Sequence, residues 1–334
     1  MPTRRPAAGR LLGWDAAIIV VALLAVVLSS VLVDGFGTTR NAGYLVLDLL
    51  PIVLLALPMT FIVITGEIDL SVASTLGLTS AVLGALWDAG LPIETIMPLC
   101  VLLGALLGAV NGLFVTVFKL PSLAVTIGTM ALFRGLAFVV LGDSAVADYP
   151  ASFTGWVTGS SGGVPNVLLP LVLLAIVFTA VLHATPIGRA VYAAGAGQEA
   201  ARFSGVRVDR LKFRLYVTSG AVAGLAGVLW TLRYSSARAD NGAGLELAVV
   251  AAVLLGGVSI FGGKGAMPGV LAGVLLLGVV QSALRLSDVT NEALNIVTGA
   301  LLVVSVLLPN LLRAATRRRA GPTTGTASAP TTNP

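Results

Sequence analysis

The sequence predicts an all-α, polytopic integral membrane protein with about ten transmembrane helices. Of its 334 residues, 57% are hydrophobic and only 10% are charged, whereas a soluble domain carries about 25% charged residues. The mean hydropathy of +0.99 is too high for a surface that faces water. The apolar residues also fall into long runs, and a helix needs about 20 such residues to cross the hydrocarbon core.

Charges, prolines and glycine turns divide the apolar sequence into ten candidate spans. The first is longer than the core of a signal peptide, about 7–15 residues, and has no clear small-residue cleavage site, so we expect it to be retained. The eighth is short enough to be a re-entrant or partly unwound element. The candidates are residues 11–33, 44–65, 69–87, 93–118, 123–142, 165–184, 213–233, 246–261, 267–286 and 292–312.

The placement of basic residues predicts which ends of the spans face the cytoplasm. Lys and Arg are enriched in the cytoplasmic segments of membrane proteins. With a cytoplasmic N-terminus and ten crossings, both termini lie inside, together with 15 of the 20 basic residues. The inner residues are Arg4, Arg5, Arg10, Lys119, Arg189, Arg202, Arg207, Arg210, Lys212, Arg214, Lys264, Arg313, Arg317, Arg318 and Arg319.

The same placement gives the domain organisation. Residues 1–10 form a cytoplasmic N-terminal segment, and residues 11–312 form the transmembrane domain. A cytoplasmic loop at about 185–214 interrupts that domain. Residues 313–334 are rich in Pro and Thr, so we expect a disordered cytoplasmic tail.

The outer side is less basic and carries one long loop. This loop, at about 143–165, is rich in Gly and Ser, and two interpretations are open: it docks an external partner, or it only connects two helices. The basic residues that this topology leaves outside are Arg40, Arg233, Arg238 and Arg285.

Several chemistries are excluded. The segment GGVSIFGGKG is not a phosphate loop, because Gly263 stands where a Walker A motif requires Lys. His183 is the only histidine, so it forms neither a His-rich metal site nor a Ser/His/Asp triad, and the single Cys100 supports no disulfide framework. We therefore expect no catalytic residues and no metal site. The basic tail accompanies no folded basic surface, so we expect no nucleic-acid partner.

Polar residues mark a break between the second and third spans. In TGEIDLSVAS, Glu67, Asp69 and Ser71 stand where one apolar run stops and the next starts. Asp69 or Ser71 is suited to cap the following helix. A broken helix that exposes such an end also builds binding sites for polar solutes in membranes. Both roles stay open, so Asp69 and Ser71 are candidates for a translocation path.

Arg134 is a charge inside an apparent span. Charged residues are costly in the membrane and are functional by default. Two interpretations stay open: a structural pair with Asp48 or with a carbonyl at a helix end, and a role in the translocation path.

Glycine spacing predicts where the spans pack closely. Glycines recur every four residues in three spans, which lets helix backbones approach each other. Asn111 and Gln281 each follow such a stripe, in GALLGAVNGLF and GVLLLGVVQSAL. They are candidates to line a hydrophilic path or to form interhelical hydrogen bonds. The stripes are Gly104, Gly108 and Gly112; Gly220 and Gly224; and Gly269 and Gly273.

The cytoplasmic loop contains a short predicted helix, GQEAARF. It starts near Gly197, and Gly205 is placed as its stop. On this helix Phe203 is an apolar knob beside Glu199 and Arg202, a geometry suited to a groove on a soluble partner. The alternative is a solvated connector.

Five segments together resemble the permease subunit of bacterial ribose-type ABC sugar importers, including rhamnose and autoinducer-sugar relatives. The resemblance covers about residues 45–310 and implies a multi-pass protein of the bacterial plasma membrane. It also implies a second permease chain, identical or different, a cytoplasmic ABC ATPase that binds ATP and Mg²⁺, and an extracytoplasmic sugar-binding protein. The segments are GEIDLSVAS, KLPSLAVTIGTMALFRGLAF, RAVYAAGAGQEAARFSGVRVDRLKF, SGAVAGLAGVL and LLGGVSIFGGKGAMPGVLAG.

The resemblance also assigns the coupling loop. The family usually has Gly where Glu67 stands and a capping Asn where Gly197 stands, so both positions depart from its pattern. Residues expected to meet the ATPase, with Phe203 and Gly188 added from the loop itself, are Gly188, Glu199, Ala200, Ala201, Arg202, Phe203, Ser204 and Gly205.

The resemblance predicts a permease that moves a monosaccharide-like sugar inward by alternating access. ATP is hydrolysed by another chain, so this chain is not itself an enzyme and needs no cofactor. The alternative is a secondary transporter of a small polar solute, driven by an ion gradient; the sequence shows no buried acid pair or histidine relay for it.

Overall fold

The structure is a computed structural model that describes residues 13–290 and, beyond them, residues 293, 294, 296, 297, 299, 300 and 303. The predictions for residues 1–10 and 313–334, and for most of the tenth span, fall outside these residues. Residues 13–290 fold into helices and one two-stranded antiparallel hairpin. The elements are α1 (Trp14–Leu32), α2 (Thr39–Ile64), α3 (Val72–Asp88), α4 (Ile93–Thr116), α5 (Ser122–Leu141), α6 (Ala151–Thr158), β1 (Ser160–Ser161), β2 (Val164–Pro165), α7 (Leu168–Ala184), α8 (Pro186–Ala196), α9 (Gln198–Phe203), α10 (Val208–Tyr234), α11 (Leu245–Leu255) and α12 (Met267–Leu286).

Helices occupy each of the first nine predicted spans. Among the described residues, six are long and apolar enough to cross a membrane: α1, α2, α4, α5, α10 and α12. A seventh span results if α7 and α8, which meet at a 65° bend, are taken together. The prediction of a polytopic all-α membrane protein is confirmed, and the described residues show six or seven apolar spans rather than ten.

Two of the predicted spans are too short to cross alone. Helix α3 has 17 residues and α11 has 11. Residues 256–266, the second half of the predicted eighth span, continue as turns and bends rather than as helix. This region contains Gly256 and Gly257, and Gly257 has a φ of +87°, a conformation that ends a helix.

Helix α2 is the centre of the bundle. Of its most apolar 18-residue window, 94% is buried, against 11% for α1. It contacts α7, α10, α11 and α12, and its inner positions, such as Leu55 and Ile62, are fully enclosed. Helix α1 packs chiefly on α12 and leaves most of its surface to lipid.

The closest helix pair is α4 and α10, and glycines set its spacing. A Cβ on Gly104 would lie 2.2 Å from the carbonyl oxygen of Gly220, and one on Gly108 would lie 2.2 Å from that of Tyr216. These distances are shorter than any real contact, so a side chain at either position forces the backbones apart. The predicted role of the glycine stripes in close packing is confirmed.

The connectors meet in two groups, one at each end of the bundle. We call the first group the basic end: residues 65–71, 117–121, 185–207 and 256–266. It is joined by bonds such as Gly263 N–H to the Ile64 carbonyl at 2.8 Å and Tyr192 Oη to the Gly265 carbonyl at 2.7 Å. The second group contains the connectors 142–167 and 235–244, which are bridged between Val146 and Ala237.

The long outer loop contains structure that its composition did not predict. Helix α6 and the hairpin β1–β2 occupy residues 151–165. Asn166 fastens the hairpin: its side-chain nitrogen donates to the Trp156 carbonyl at 3.0 Å, and its side-chain oxygen accepts from Ser161 at 2.8 Å. The loop is therefore more than a flexible link between α5 and α7.

Candidate functional site

The connector between α2 and α3 holds a buried carboxylate. Asp69 is 2% exposed, and its Oδ1 accepts hydrogen bonds from the Ser71 amide at 3.0 Å and from the Ser71 hydroxyl at 2.7 Å. Its Oδ2 accepts from the Ser219 hydroxyl of α10 at 3.3 Å. Asp69 thus caps the turn that starts α3, whereas the Ser71 side chain caps no amide of that helix.

The network extends from Ser71 to Asn111 on α4. The Asn111 side-chain nitrogen donates to the Ser71 hydroxyl at 2.7 Å. Asn111 is fully buried, and its Oδ1 has no hydrogen-bond partner among the described residues. The structure therefore brings together three of the five predicted path residues, Asp69, Ser71 and Asn111, in one enclosed polar cluster.

An ion pair beside this cluster was missed from the sequence. Lys212, near the start of α10, donates to Glu67, and the two side chains are only 5% and 15% exposed. The sequence showed Lys212 only as one more inner basic residue. No spacing rule connects it to Glu67, which is 145 positions away.

Arg134 lies apart from this cluster and does not pair with Asp48. Its guanidinium donates to the carbonyls of Ala239 and Asn241 at 3.0 and 2.7 Å. Asp48 instead pairs with Arg233 and, at 2.9 Å, with Arg285. The Arg134–Asp48 alternative is wrong because two other arginines surround that carboxylate.

Arg134 fixes the connector between α10 and α11 against α3. A Cβ on Gly77 would lie 2.6 Å from the Arg134 guanidinium and 2.6 Å from the Asn241 carbonyl, so only glycine leaves room there. Asn241 also donates to the Ser80 hydroxyl of α3 at 2.8 Å. The connector is therefore held inside the bundle, close to the charge.

A polar cavity of about 250 Å³ opens beside the same connector. It is lined by Phe138, Gly142, Asp143, Ser144, Arg238, Ala239 and Asp240. Arg238 pairs with Asp240 at 2.9 Å, and this hydrogen bond lowers the pKa of the Asp240 carboxyl. The cavity thus holds both charges at neutral pH, which suits a polar solute better than an apolar one.

Gln281 lies elsewhere. It sits on α12, which packs chiefly on α1, α2 and α11, whereas α4 packs chiefly on α3 and α10. The structure does not bring Gln281 together with Asn111, despite the similar glycine stripes before them.

The cytoplasmic loop folds as predicted into a short helix. Helix α9 spans Gln198–Phe203, with Gly205 at a φ of +84° after it. Gly197 precedes it in an extended conformation and contributes no side-chain cap, as expected where the family's capping Asn is missing.

Most of the predicted coupling residues are on the surface. Phe203 is 92% exposed. Two members are not accessible: Ala201 packs with Ala194 and Val208, and Gly188 is buried at the α7–α8 bend, where a Cβ would lie 1.8 Å from the Leu182 carbonyl. The exposed members are Glu199, Ala200, Arg202, Phe203, Ser204 and Gly205.

The site is built to hold and move polar groups rather than to catalyse a reaction. Among the described residues, no group of three or more His, Cys, Asp or Glu side chains is placed to hold a metal ion. Cys100 is buried and donates to the Thr79 carbonyl at 3.5 Å, so it packs as a small core residue.

Comparison with known proteins decides the family. Residues 41–306 match the family described as branched-chain amino acid transport system / permease component. The chain belongs to this family. The autoinducer 2 import system permease protein LsrD of Yersinia pseudotuberculosis serotype O:1b (strain IP 31758) is 33% identical over 306 residues, 88% of this chain and 90% of the relative. LsrD of Yersinia pestis (strain Pestoides F) is 32% identical over the same shares. No solved structure matches the chain.

Membership explains the absence of catalytic chemistry. As a member of this permease family, the chain is a non-catalytic, multi-pass transport component of the bacterial plasma membrane. A permease of an ABC importer works with an ATPase and with a substrate-binding protein. The resemblance to ribose-type importers is confirmed at the level of the family.

Proposed function

We propose that this chain is the transmembrane permease of an ABC importer that carries a monosaccharide-like sugar of the ribose, rhamnose or autoinducer type into the cell. The observation that carries the proposal is α9, a short helix that presents an almost fully exposed Phe203 at the basic end. An isolated exposed aromatic on a charged helix is suited to a groove of a soluble partner. The relatives named autoinducer 2 permeases support the sugar class.

We infer that the exposed face of α9 docks the ATPase, which binds ATP and Mg²⁺. A second permease chain, either a copy of this one or a different one, completes the pathway. The candidates for the translocation path are Asp69, Ser71, Asn111, Arg134 and Gln281. Asp69, Ser71 and Asn111 are enclosed in this structure, so they reach a sugar only after the basic end opens. Arg134, beside the outer cavity, is the first of the five that an entering sugar approaches.

For topology we propose ten crossings with both termini in the cytoplasm. Eight basic residues of the described part belong to the basic end or to the first turns of α10, against four at the opposite end. This bias favours a cytoplasmic basic end. The eight are Lys119, Arg189, Arg202, Arg207, Arg210, Lys212, Arg214 and Lys264, and the four are Arg40, Arg233, Arg238 and Arg285.

Cysteine labelling tests this orientation. Gln198 on α9 and Ser160 in the hairpin are both exposed and lie at opposite ends. In intact cells, an impermeant thiol reagent should label Ser160→Cys and leave Gln198→Cys unlabelled, and both should react after lysis. The native Cys100 is buried and supplies a low background. Labelling of Gln198→Cys in intact cells would contradict the proposed orientation.

Replacement of Phe203 tests the docking surface. Phe203→Ala removes an apolar contact worth about 1.5–3 kcal/mol when fully buried, and no other residue of the chain depends on it, because the side chain is 92% exposed. The reconstituted importer should bind its ATPase at least about tenfold more weakly and transport less sugar, while the permease inserts normally.

A second exposed phenylalanine provides the matched control. Phe118 follows α4 at the same end and is 59% exposed, but it lies beside Phe114, with ring centroids 5.6 Å apart, and not on α9. Phe118→Ala should leave ATPase binding unchanged. If Phe203→Ala also binds and transports like the wild type, α9 is only a connector.

A further inference from the structure

One face of α10 contacts three consecutive residues of the α2–α3 connector. Lys212, Tyr216 and Ser219 are spaced i, i+4 and i+7, so they share one side of the helix. Lys212 pairs with Glu67, the Tyr216 hydroxyl lies 3.5 Å from the Ile68 carbonyl, and Ser219 donates to Asp69 at 3.3 Å. All three α10 residues are buried. We call this set of contacts the α10 ladder.

The start of α10 is firmly joined to α9. Arg202 of α9 pairs with Asp209 in the first turn of α10 at 3.0 Å. Within the connector, the Val206 amide donates to the Ala201 carbonyl at 3.0 Å, and Ala201 packs on Val208. Only four residues separate the two helices. A displacement of α9 therefore displaces the start of α10, where the ladder begins.

The other side of the connector is tied to α4 and α5. The Ile68 amide donates to the Ser122 hydroxyl of α5 at 3.2 Å, and the Thr126 hydroxyl donates to the Ile68 carbonyl at 3.3 Å. Asn111 of α4 reaches the same connector through Ser71 at 2.7 Å. The connector thus lies between α10, which follows the coupling loop, and two helices that bound the polar cluster.

We propose that the α10 ladder, and above all the Lys212–Glu67 ion pair, is the positioning contact that carries movement of α9 into the connector and so opens the basic end. This inference rests on the proposed function, because it assumes that the ATPase docks on α9. Glu67 and Lys212 touch neither ATP nor sugar: they act through the connector. A buried ion pair is suited to this task because its two charges resist separation once they are removed from water.

The test uses the whole importer in proteoliposomes: permease, ATPase and binding protein, with a sugar that the wild type takes up from a panel of ribose, rhamnose and autoinducer 2. The variants are Glu67→Gln, Lys212→Gln and the reversed pair Glu67→Lys/Lys212→Glu. Three quantities are measured: the amount of ATPase retained on the permease, ATP hydrolysis, and sugar transported per ATP hydrolysed.

Each single variant should retain the ATPase like the wild type and lose at least about fivefold in sugar transported per ATP, the usual lower range of coupling between sites. The reversed pair should recover most of the loss, which a merely structural role of either residue alone does not predict. The matched control is Lys119→Gln: Lys119 also pairs with α10, through Asp209 at 2.6 Å, but it is 55% exposed, and an exposed pair contributes little.

Ser219→Ala guards against variants that fail to fold, because it removes one hydroxyl of the ladder and leaves both charges in place. It should lower the same ratio by less than Glu67→Gln does. Wild-type ratios in Glu67→Gln, Lys212→Gln and Ser219→Ala would overturn the ladder while leaving the proposed function intact. A wild-type importer without ATP-dependent uptake would instead overturn the proposed function itself.

Discussion

Leucine at Gly108 should prevent the purified permease from folding into a monodisperse particle. A Cβ there would already lie 2.2 Å from the Tyr216 carbonyl oxygen and 3.1 Å from the Cα of Gly220. Forcing even one or two extra carbons into a packed core costs about 1–3 kcal/mol, and Leu adds four where there is no room for one. Since this contact joins backbone to backbone, no side chain can move aside, and α4 has to separate from α10.

The same substitution at Gly128 is the control. Gly128 lies in α5, also within an apolar span, and has no atom within 4 Å of its added Cβ. Leucine is also a better helix former than glycine, by up to about 1 kcal/mol. Gly128→Leu should therefore elute and melt like the wild type or slightly above it. Gel filtration and a thermal melt in detergent compare the two variants, and a folded Gly108→Leu protein would contradict the packing account.

The spans and their closest contacts were accessible from sequence because both depend on local patterns. A run of apolar residues fixes where a helix crosses, and glycines four apart fix which of its faces meets a neighbour. The errors lie at the edges. Helix α10 begins at Val208 and not at 213, since its first turns carry charged residues that a hydropathy boundary removes although they continue the helix.

The polar contacts were not accessible because they join residues far apart in the chain. Nothing local distinguishes Lys212 from its basic neighbours, yet it alone among them pairs with Glu67 inside the bundle. Arg134 likewise selects carbonyls more than 100 positions away. The breaking residues Glu67, Asp69 and Ser71 were recognised, but their partners on α4, α5 and α10 depend on how the helices are arranged.

The chain without partners should accumulate no sugar under a proton or sodium gradient. Proteoliposomes that contain the permease alone, loaded with such a gradient and supplied with ribose, rhamnose or autoinducer 2, should show no uptake above empty vesicles. The chain has no Walker A motif, so added ATP should change nothing. With the ATPase, the binding protein and any required second permease chain, uptake should follow ATP and persist when ionophores dissipate the gradient.

The structure sharpens this comparison between the ABC permease and the gradient-driven transporter, because it contains a buried carboxylate that a coupling ion is suited to use. Asp69 is 2% exposed and has no ion-pair partner among the described residues. Its oxygens are nevertheless occupied by hydrogen bonds from Ser71 and Ser219, and such bonds help to stabilise a carboxylate without any bound ion. Asp69→Asn in the complete importer should therefore leave uptake insensitive to the gradient, as in the wild type. Gradient-driven uptake by the isolated chain, lost in Asp69→Asn, would establish the secondary transporter instead.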